Sequence, residues 1–160
     1  MKTVSSRLFI FLIAFAATAA YAAPKVGDSA TLEGKFSGSG TKADVTTLQK
    51  ITGYNANTGV YTIEQTQTVG ADSQTKEIQV KAEDLMSEET ATMIVQVCES
   101  QGIGKNEKVE VAAGSFTTCR VSNDGATLWV APVPFGVVKL STKITAGSVN
   151  LGLTKFTRGQ

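Results

Sequence analysis

The sequence predicts a mainly β protein of the α+β class, with one antiparallel sheet and a single covering helix. Nine segments are rich in β-branched residues or alternate apolar with polar residues, as half-buried strands do. Turn-forming residues separate most of these segments at the short intervals typical of consecutive hairpins. One further segment has its apolar residues at helical spacing instead.

The predicted strands follow one another along the chain as an antiparallel meander. Asn123-Asp124-Gly125 is the clearest turn between them, because Asn and Gly tolerate the positive φ angles that tight connections require. The predicted strands are residues 30–39, 44–52, 59–68, 76–81, 109–111, 116–122, 127–131, 137–144 and 148–156.

The predicted helix covers residues 87–100. Ser87 is a suitable amino-terminal cap, two glutamates follow it, and Gly102 is a suitable terminator. Cys98 would lie on the apolar stripe near the carboxyl end of this helix. Val95 and Val97 are β-branched, so a strand is the alternative for this segment.

The first 22 residues have the features of a secretory signal peptide. Lys2 and Arg7 precede an unbroken apolar run over residues 8–17, and small residues end at Ala22. That run is shorter than the ~20 residues that a membrane-spanning helix needs, which leaves a permanent anchor as the weaker alternative. Cleavage after Ala22 is preferred over cleavage after Ala23, because the latter would leave Pro24 at the amino terminus. We therefore expect a signal peptide over residues 1–22, an antiparallel β domain over residues 23–160, and a periplasmic or secreted location.

The mature chain would be almost neutral. Without Lys2 and Arg7, 13 basic residues remain against 14 acidic ones, and the basic residues are spread singly along the chain. Nucleic-acid binding normally needs a clustered basic surface, so a nucleic-acid partner is not expected. The length fits one domain with one core.

The two cysteines, Cys98 and Cys119, predict an intramolecular disulfide, because an exported protein meets an oxidising environment. Two buried free thiols and an intermolecular bond are the alternatives. The spacing is too long for a redox CxxC motif, which favours a structural role.

The sequence does not predict an enzyme. It contains no histidine, which removes the usual general base, the usual zinc ligand and the common nucleophilic triads. The adjacent carboxylates Glu83-Asp84 and Glu88-Glu89 point in different directions, and helix capping or solvation accounts for them. The glycine-rich segments that begin at Gly34 and Gly102 do not match a phosphate-binding loop. The segment from Ser122 to Gly125 lacks the ligand pattern of a calcium loop. No metal or cofactor is expected.

The segments "VEVAAGSFTTCRV" and "LWVAPVPFGVVKL" carry a resemblance. They are similar to a pattern in small exported bacterial proteins of unassigned function, in which Ala-Gly-x-Phe and a cysteine precede a Trp and Val-Pro-Phe-Gly-x-Val-Lys. The pattern also resembles the lipoprotein-carrier-like group (LolA-like). The resemblance implies an open, strongly curved antiparallel sheet, or half-barrel, around an apolar cavity. The positions that match are Gly114, Phe116, Cys119, Trp129, Pro134, Phe135, Gly136 and Lys139.

These observations lead to two hypotheses for the function, ligand binding and protein interaction. In the first, large apolar side chains line a concavity for an apolar or lipid-like ligand, with Trp129 and Phe135 near its mouth. The same side chains could instead simply fill the core. In the second, a sheet edge or outer face docks another protein of the cell envelope and there is no ligand cavity. The candidate ligand-binding residues are Phe116, Trp129, Phe135, Val137 and Leu140.

Overall fold

The computed structural model describes residues 24–38 and 40–160, and its architecture is a nine-stranded sheet with one α-helix. The predicted signal peptide lies outside the described residues. The elements in chain order are β1 (Ser29–Gly38), β2 (Thr41–Asn55), β3 (Val60–Val69), β4 (Asp72–Lys81), a short 3-10 turn (Ala82–Asp84), α1 (Glu88–Val97), β5 (Lys105–Val111), β6 (Gly114–Asn123), β7 (Ala126–Val130), β8 (Val137–Ile144) and β9 (Gly147–Thr157).

The strands form two meanders that meet in the middle of one curved, unclosed sheet. Strands β1 to β4 form the first meander and β5 to β9 the second, and β1 pairs with β9 to join them, in the order β4-β3-β2-β1-β9-β8-β7-β6-β5. All neighbouring strands are antiparallel. The predicted mainly β fold with one helix is confirmed. A single continuous meander would have placed β4 beside β5, whereas these two strands form opposite edges of the sheet.

The two edge strands begin earlier than predicted. β4 starts at Asp72 and not at residue 76, and β5 starts at Lys105 and not at residue 109. Their first residues are polar and mostly exposed, so they show no apolar alternation. Backbone pairing with β3 and β6 places them in the sheet. Gly70, with a φ of 61°, makes the tight turn before β4.

The predicted helix is confirmed, with α1 three residues shorter at its carboxyl end than the predicted segment. The Ser87 hydroxyl accepts a hydrogen bond from the Thr90 backbone N–H at 3.0 Å, as an amino-terminal cap does. Gly102, with a φ of 65°, lies in the turn that ends the helical segment. Ala91 and Ile94 are the buried residues of α1, and they pack in one cluster with Cys119 and Val130.

The connection from β4 to β5, residues 82–104, crosses one face of the sheet and is attached to it at three points. At its start, Leu85 packs on the apolar cluster of β2 and β3. In its middle, Glu88 receives hydrogen bonds of 2.8 and 2.9 Å from Arg158, which follows β9. At its end, Cys98 is bonded to Cys119 of β6. The connection therefore runs from one edge of the sheet, past its centre, towards the other edge.

The strand register identifies which side chains share the face that this connection covers. One row of paired residues crosses most of the sheet on that face: Val121, Leu128, Leu140, Leu151, Gly34, Val45 and Val69. Cys119 and its partner Val130 belong to the same face by strand alternation, and both pack against α1. We call this side the helix-covered face and the other side the opposite face.

Strong curvature brings the second meander back onto its own last strand. The Ala113 backbone N–H, in the β5–β6 turn, donates a hydrogen bond of 3.0 Å to the Leu153 carbonyl of β9. Val111 lies against Gly152, where an added Cβ would come within 3.3 Å of the Val111 side chain. Gly152 therefore permits the close approach of β5 to β9.

Within residues 24–38 and 40–160, no helix is both long enough and apolar enough to span a membrane.

The disulfide between Cys98 and Cys119 is present, with a Cα–Cα distance of 5.7 Å, and both residues are fully buried. We predict that replacing both cysteines with alanine lowers the free energy of unfolding by about 3 kcal/mol, because the loop between them is then unconstrained in the unfolded chain. Denaturant unfolding of the wild type and of the double variant measures the difference. Two reactive thiols per chain in the unreduced, denatured wild type would contradict the bond.

Candidate functional site

The five candidate ligand-binding residues contribute to one core cluster, with Trp129 as a buried member and Phe116, Phe135, Val137 and Leu140 packed against it. Val137 pairs with Val130, and Leu140 pairs with Leu128, so both belong to the helix-covered face. Trp129 lies between its partners Arg120 and Lys139 on the opposite face. Phe116 alternates with Thr118 and Arg120 along β6 and shares that opposite face. Strand alternation thus divides the set between the two sides of the sheet, although all five residues contribute to the same core cluster.

Trp129 has its polar and aromatic surfaces occupied by protein groups. Its side chain is 9% exposed, and its indole N–H donates a hydrogen bond to the Glu107 carboxylate. Arg120 approaches the same carboxylate at 3.9 Å. The Lys139 ammonium lies 4.6 Å from the ring centroid, within the range of a cation–π interaction. This environment gives Trp129 a packing role within the main core cluster.

Phe116 lies near the start of β6, beside the β5–β6 turn. Its ring meets Phe156 of β9 edge to face, with 6.4 Å between the ring centroids, a favourable arrangement for two aromatic rings. Its strand partner Val109 is buried in the main core. Phe116 therefore helps to hold the β5–β6 hairpin against β9.

Phe135 lies where two apolar clusters meet. It packs against the main core around β1 and β9 and also against the cluster of Ile51, Tyr61 and Ile63. Its side chain is only partly buried. Of the five candidates, it is the one that packs against both clusters.

The backbone at Phe135 is strained. Its φ is 63°, in the left-handed region that costs a residue with a bulky side chain about 1–2 kcal/mol. Hydrogen bonds within residues 131–136 fix this loop, including one from Ala131 N–H to the Gly136 carbonyl at 3.0 Å. Gly136 is also left-handed, and a Cβ there would collide with Met86. Strain of this kind is concentrated at ligand-binding and other functional positions.

Sequence reasoning missed a polar pair on the helix-covered face. Thr47 of β2 and Gln65 of β3 are each 7% exposed, and Thr47 Oγ1 and Gln65 Oε1 are buried without a hydrogen-bond partner. A buried polar atom without a partner costs about 1–3 kcal/mol. Folded proteins contain few buried polar atoms without a hydrogen-bond partner, and each such atom requires an explanation. No sequence signal marks the pair, because Thr and Gln in a strand usually face water.

The polar pair lies within the same apolar surroundings as Phe135. By register, Thr47 is flanked by Leu32 and Gln67, and Gln65 is flanked by Gln49 and Lys76. The strand neighbours Val45 and Ile63 are buried apolar residues, at 3% and 2% exposure. A few polar atoms within an apolar surface are the usual composition of a small-molecule site.

Tyr61 closes the β2–β3 end of the helix-covered face. Its hydroxyl donates a hydrogen bond of 2.8 Å to the Pro24 carbonyl, and its ring stacks on Tyr54 with centroids 4.5 Å apart. Burial raises the pKa of the Tyr61 phenol above its ordinary value, and the neighbouring Tyr54 and Asp28 raise it further. Tyr61 therefore stays neutral in the physiological range.

A shallow depression of about 370 Å³ lies at the β6–β7 turn, away from these residues. It is lined mainly by polar turn residues, and the Ser122 and Thr127 hydroxyls in it pair with each other at 3.0 Å. Across the part of the chain that the structure describes, no group of three or more His, Cys, Asp or Glu residues is placed to hold a metal ion.

Comparison of the chain with protein-family models, with curated proteins and with solved structures finds no match. The resemblance to the lipoprotein-carrier-like group therefore stays a prediction from sequence.

We predict that Glu107→Ala lowers the free energy of unfolding by about 1–2 kcal/mol, because the buried indole N–H of Trp129 loses its acceptor. Trp129 is the sole tryptophan, so its emission spectrum should also shift. The control is Glu110→Ala, an exposed glutamate of the same strand. Equal effects of the two substitutions on stability and emission would contradict the assigned hydrogen bond.

A second pair of variants tests the strained loop. Phe135→Gly and Phe135→Ala both remove the ring, but only glycine adopts a φ of 63° without strain. We expect the glycine variant to be about 1 kcal/mol more stable than the alanine variant. If denaturant unfolding shows that the alanine variant is as stable as the glycine variant, or more stable, Phe135 does not have the left-handed conformation.

Proposed function

We propose that this chain is an exported, non-enzymatic protein that binds an apolar or lipid-like molecule on the helix-covered face of its curved sheet. The observation that carries the proposal is Phe135, a partly exposed aromatic residue held in a strained conformation where the main core cluster meets the cluster of Ile51, Tyr61 and Ile63. Strain is retained where the surrounding structure enforces it, and ligand sites are among the places where it recurs.

The proposed site differs from the one predicted from sequence. Phe135, Val137 and Leu140 remain candidates because they share the helix-covered face. By register Trp129 and Phe116 belong to the opposite face, so the proposal does not rest on them, although both contribute to the same core cluster. Binding on the helix-covered face requires only shape and apolar surface.

The Cys98–Cys119 bond supports export, since disulfides persist outside the reducing cytoplasm. The proposed location is the periplasm or the extracellular medium, after removal of residues 1–22.

A second function is favoured by β4. This edge strand is ten residues long, pairs with β3 along its whole length without a register shift, and is largely exposed. An unpaired, regular edge can accept a strand from another protein. Lys76 and Lys81 on this strand are the kind of charged residue that protects edges from such pairing, which makes strand addition the second candidate.

The test of ligand binding uses N-phenyl-1-naphthylamine, a neutral apolar dye that fluoresces when it leaves water. We expect saturable binding of one dye per chain, and about tenfold weaker binding by Phe135→Ala, because removing the ring deletes apolar contacts with the dye. The control is Val97→Ala, which shortens an exposed apolar side chain at the end of α1. Native protein purified without detergent should also release lipid into organic solvent, as detected by mass spectrometry. Absence of saturable dye binding together with absence of extracted lipid would reject ligand binding and favour strand addition.

A further inference from the structure

The two unpartnered polar atoms on the helix-covered face specify the chemistry of the ligand more narrowly than apolar surface does. Thr47 and Gln65 are both more than nine-tenths buried, and neither Thr47 Oγ1 nor Gln65 Oε1 has a partner. They lie on neighbouring strands and on the same face, two pairing steps apart: Thr47 pairs with Gln67, and Gln65 pairs with Gln49, which makes them diagonal neighbours. A single small polar group placed between the two strands could reach both atoms.

The chemistry of these atoms selects a hydrogen-bond donor. The oxygen of the Gln65 amide accepts hydrogen bonds and cannot donate them, and the Thr47 hydroxyl can accept as well as donate. A ligand hydroxyl would donate to the Gln65 oxygen and accept from the Thr47 hydroxyl, and a diol or a primary amide would offer a donor to each oxygen. A carboxylate has only acceptor atoms and would face the Gln65 oxygen without a proton to share.

The charges around the pair also disfavour an ionised group. The residues that flank Thr47 and Gln65 within the sheet are uncharged, apart from Lys76 on edge strand β4. Lys76 is exposed, so water screens its charge. Burying an anion beside Thr47 without an ionic partner would cost far more than burying a neutral hydroxyl.

We propose that Thr47 and Gln65 bind the uncharged, hydrogen-donating headgroup of an acyl-chain ligand, such as a monoacylglycerol, and discriminate against the ionised carboxylate of a free fatty acid. This inference rests on the proposed function, because it assigns the polar end of a ligand whose apolar chain lies on the same face, along Val45, Leu32 and towards Phe135.

The experiment compares monoolein with oleate as competitors of bound N-phenyl-1-naphthylamine at pH 8, where oleate is ionised. For the wild type we expect monoolein to displace the dye at about tenfold lower concentration than oleate. Thr47→Val and Gln65→Met remove the acceptors with little change in side-chain volume. Each should weaken monoolein about five- to tenfold, as expected for one lost hydrogen bond, and leave oleate unchanged.

Control variants separate this effect from general damage to the sheet. Thr46→Val makes the same change on the other side of β2, and Gln79→Met makes it on exposed β4; both should leave monoolein and oleate binding unchanged. The ligand-free Thr47→Val and Gln65→Met proteins should melt at or above the wild-type temperature, because each has lost a buried polar atom without a partner.

The outcomes distinguish the inference from the proposed function. Saturable dye binding with equal displacement by the two lipids, or with no effect of Thr47→Val and Gln65→Met, would overturn the headgroup assignment and leave lipid binding intact. Weakened oleate binding in Lys76→Gln, with oleate preferred over monoolein, would also overturn it. A lower melting temperature of the two variants with unchanged monoolein binding would mean that internal water pairs the acceptors, which overturns it too. Absence of dye and lipid binding altogether would reject the proposed function and the inference together.

Discussion

The crossing of residues 82–104 over one face of the sheet is the constraint on which the rest of the structure depends. Strands β4 and β5 follow one another in sequence but form opposite edges of a nine-stranded sheet. Eight strand spacings of about 4.8 Å would separate them by about 38 Å in a flat sheet. The helix supplies only about 15 Å, so the segments on both sides of it and the curvature of the sheet must cover the rest. The connection must therefore lie on the sheet, where Leu85, Glu88 and Cys98 attach it.

This crossing gives the two faces of the sheet different properties. On the opposite face, the indole N–H of Trp129 donates a hydrogen bond to Glu107, and Lys139 lies over its ring. The β5–β6 turn is hydrogen-bonded back to β9. On the helix-covered face, α1 packs over β6 and β7, whereas the β2–β3 region holds the unpartnered atoms of Thr47 and Gln65. On this face the backbone is strained at Phe135, and two buried polar atoms have no hydrogen-bond partner among the residues of the protein. Binding of a ligand there would supply the missing interactions.

Local sequence signals predicted the elements well and their arrangement less well. All nine strands, the Ser87 cap and the Cys98–Cys119 bond follow from alternation, capping chemistry and cysteine count, which are properties of a few neighbouring residues. The first residues of β4 and β5 were missed because edge strands exposed to water need no apolar alternation. The β1–β9 pairing joins residues more than a hundred positions apart, and no local signal specifies it.

The candidate site was predicted only in part, for a related reason. Phe116, Trp129 and Phe135 are close in sequence and all aromatic, which made them a natural group. They contribute to one core cluster, but the register places Trp129 with Arg120 and Lys139, while the left-handed turn at Phe135 directs the following residues back along β8. Thr47 and Gln65 carried no signal, since their importance comes from burial without partners, which appears only when the strands are assembled.

The most direct test of the account is a high-resolution crystal structure of the protein recovered from its own cells, unreduced and without detergent. We expect elongated electron density on the helix-covered face, with a polar end within hydrogen-bond distance of Thr47 Oγ1 and Gln65 Oε1 and an apolar end that reaches Phe135. A structure in which protein side chains fill this face, with only water beside Thr47 and Gln65, would contradict it.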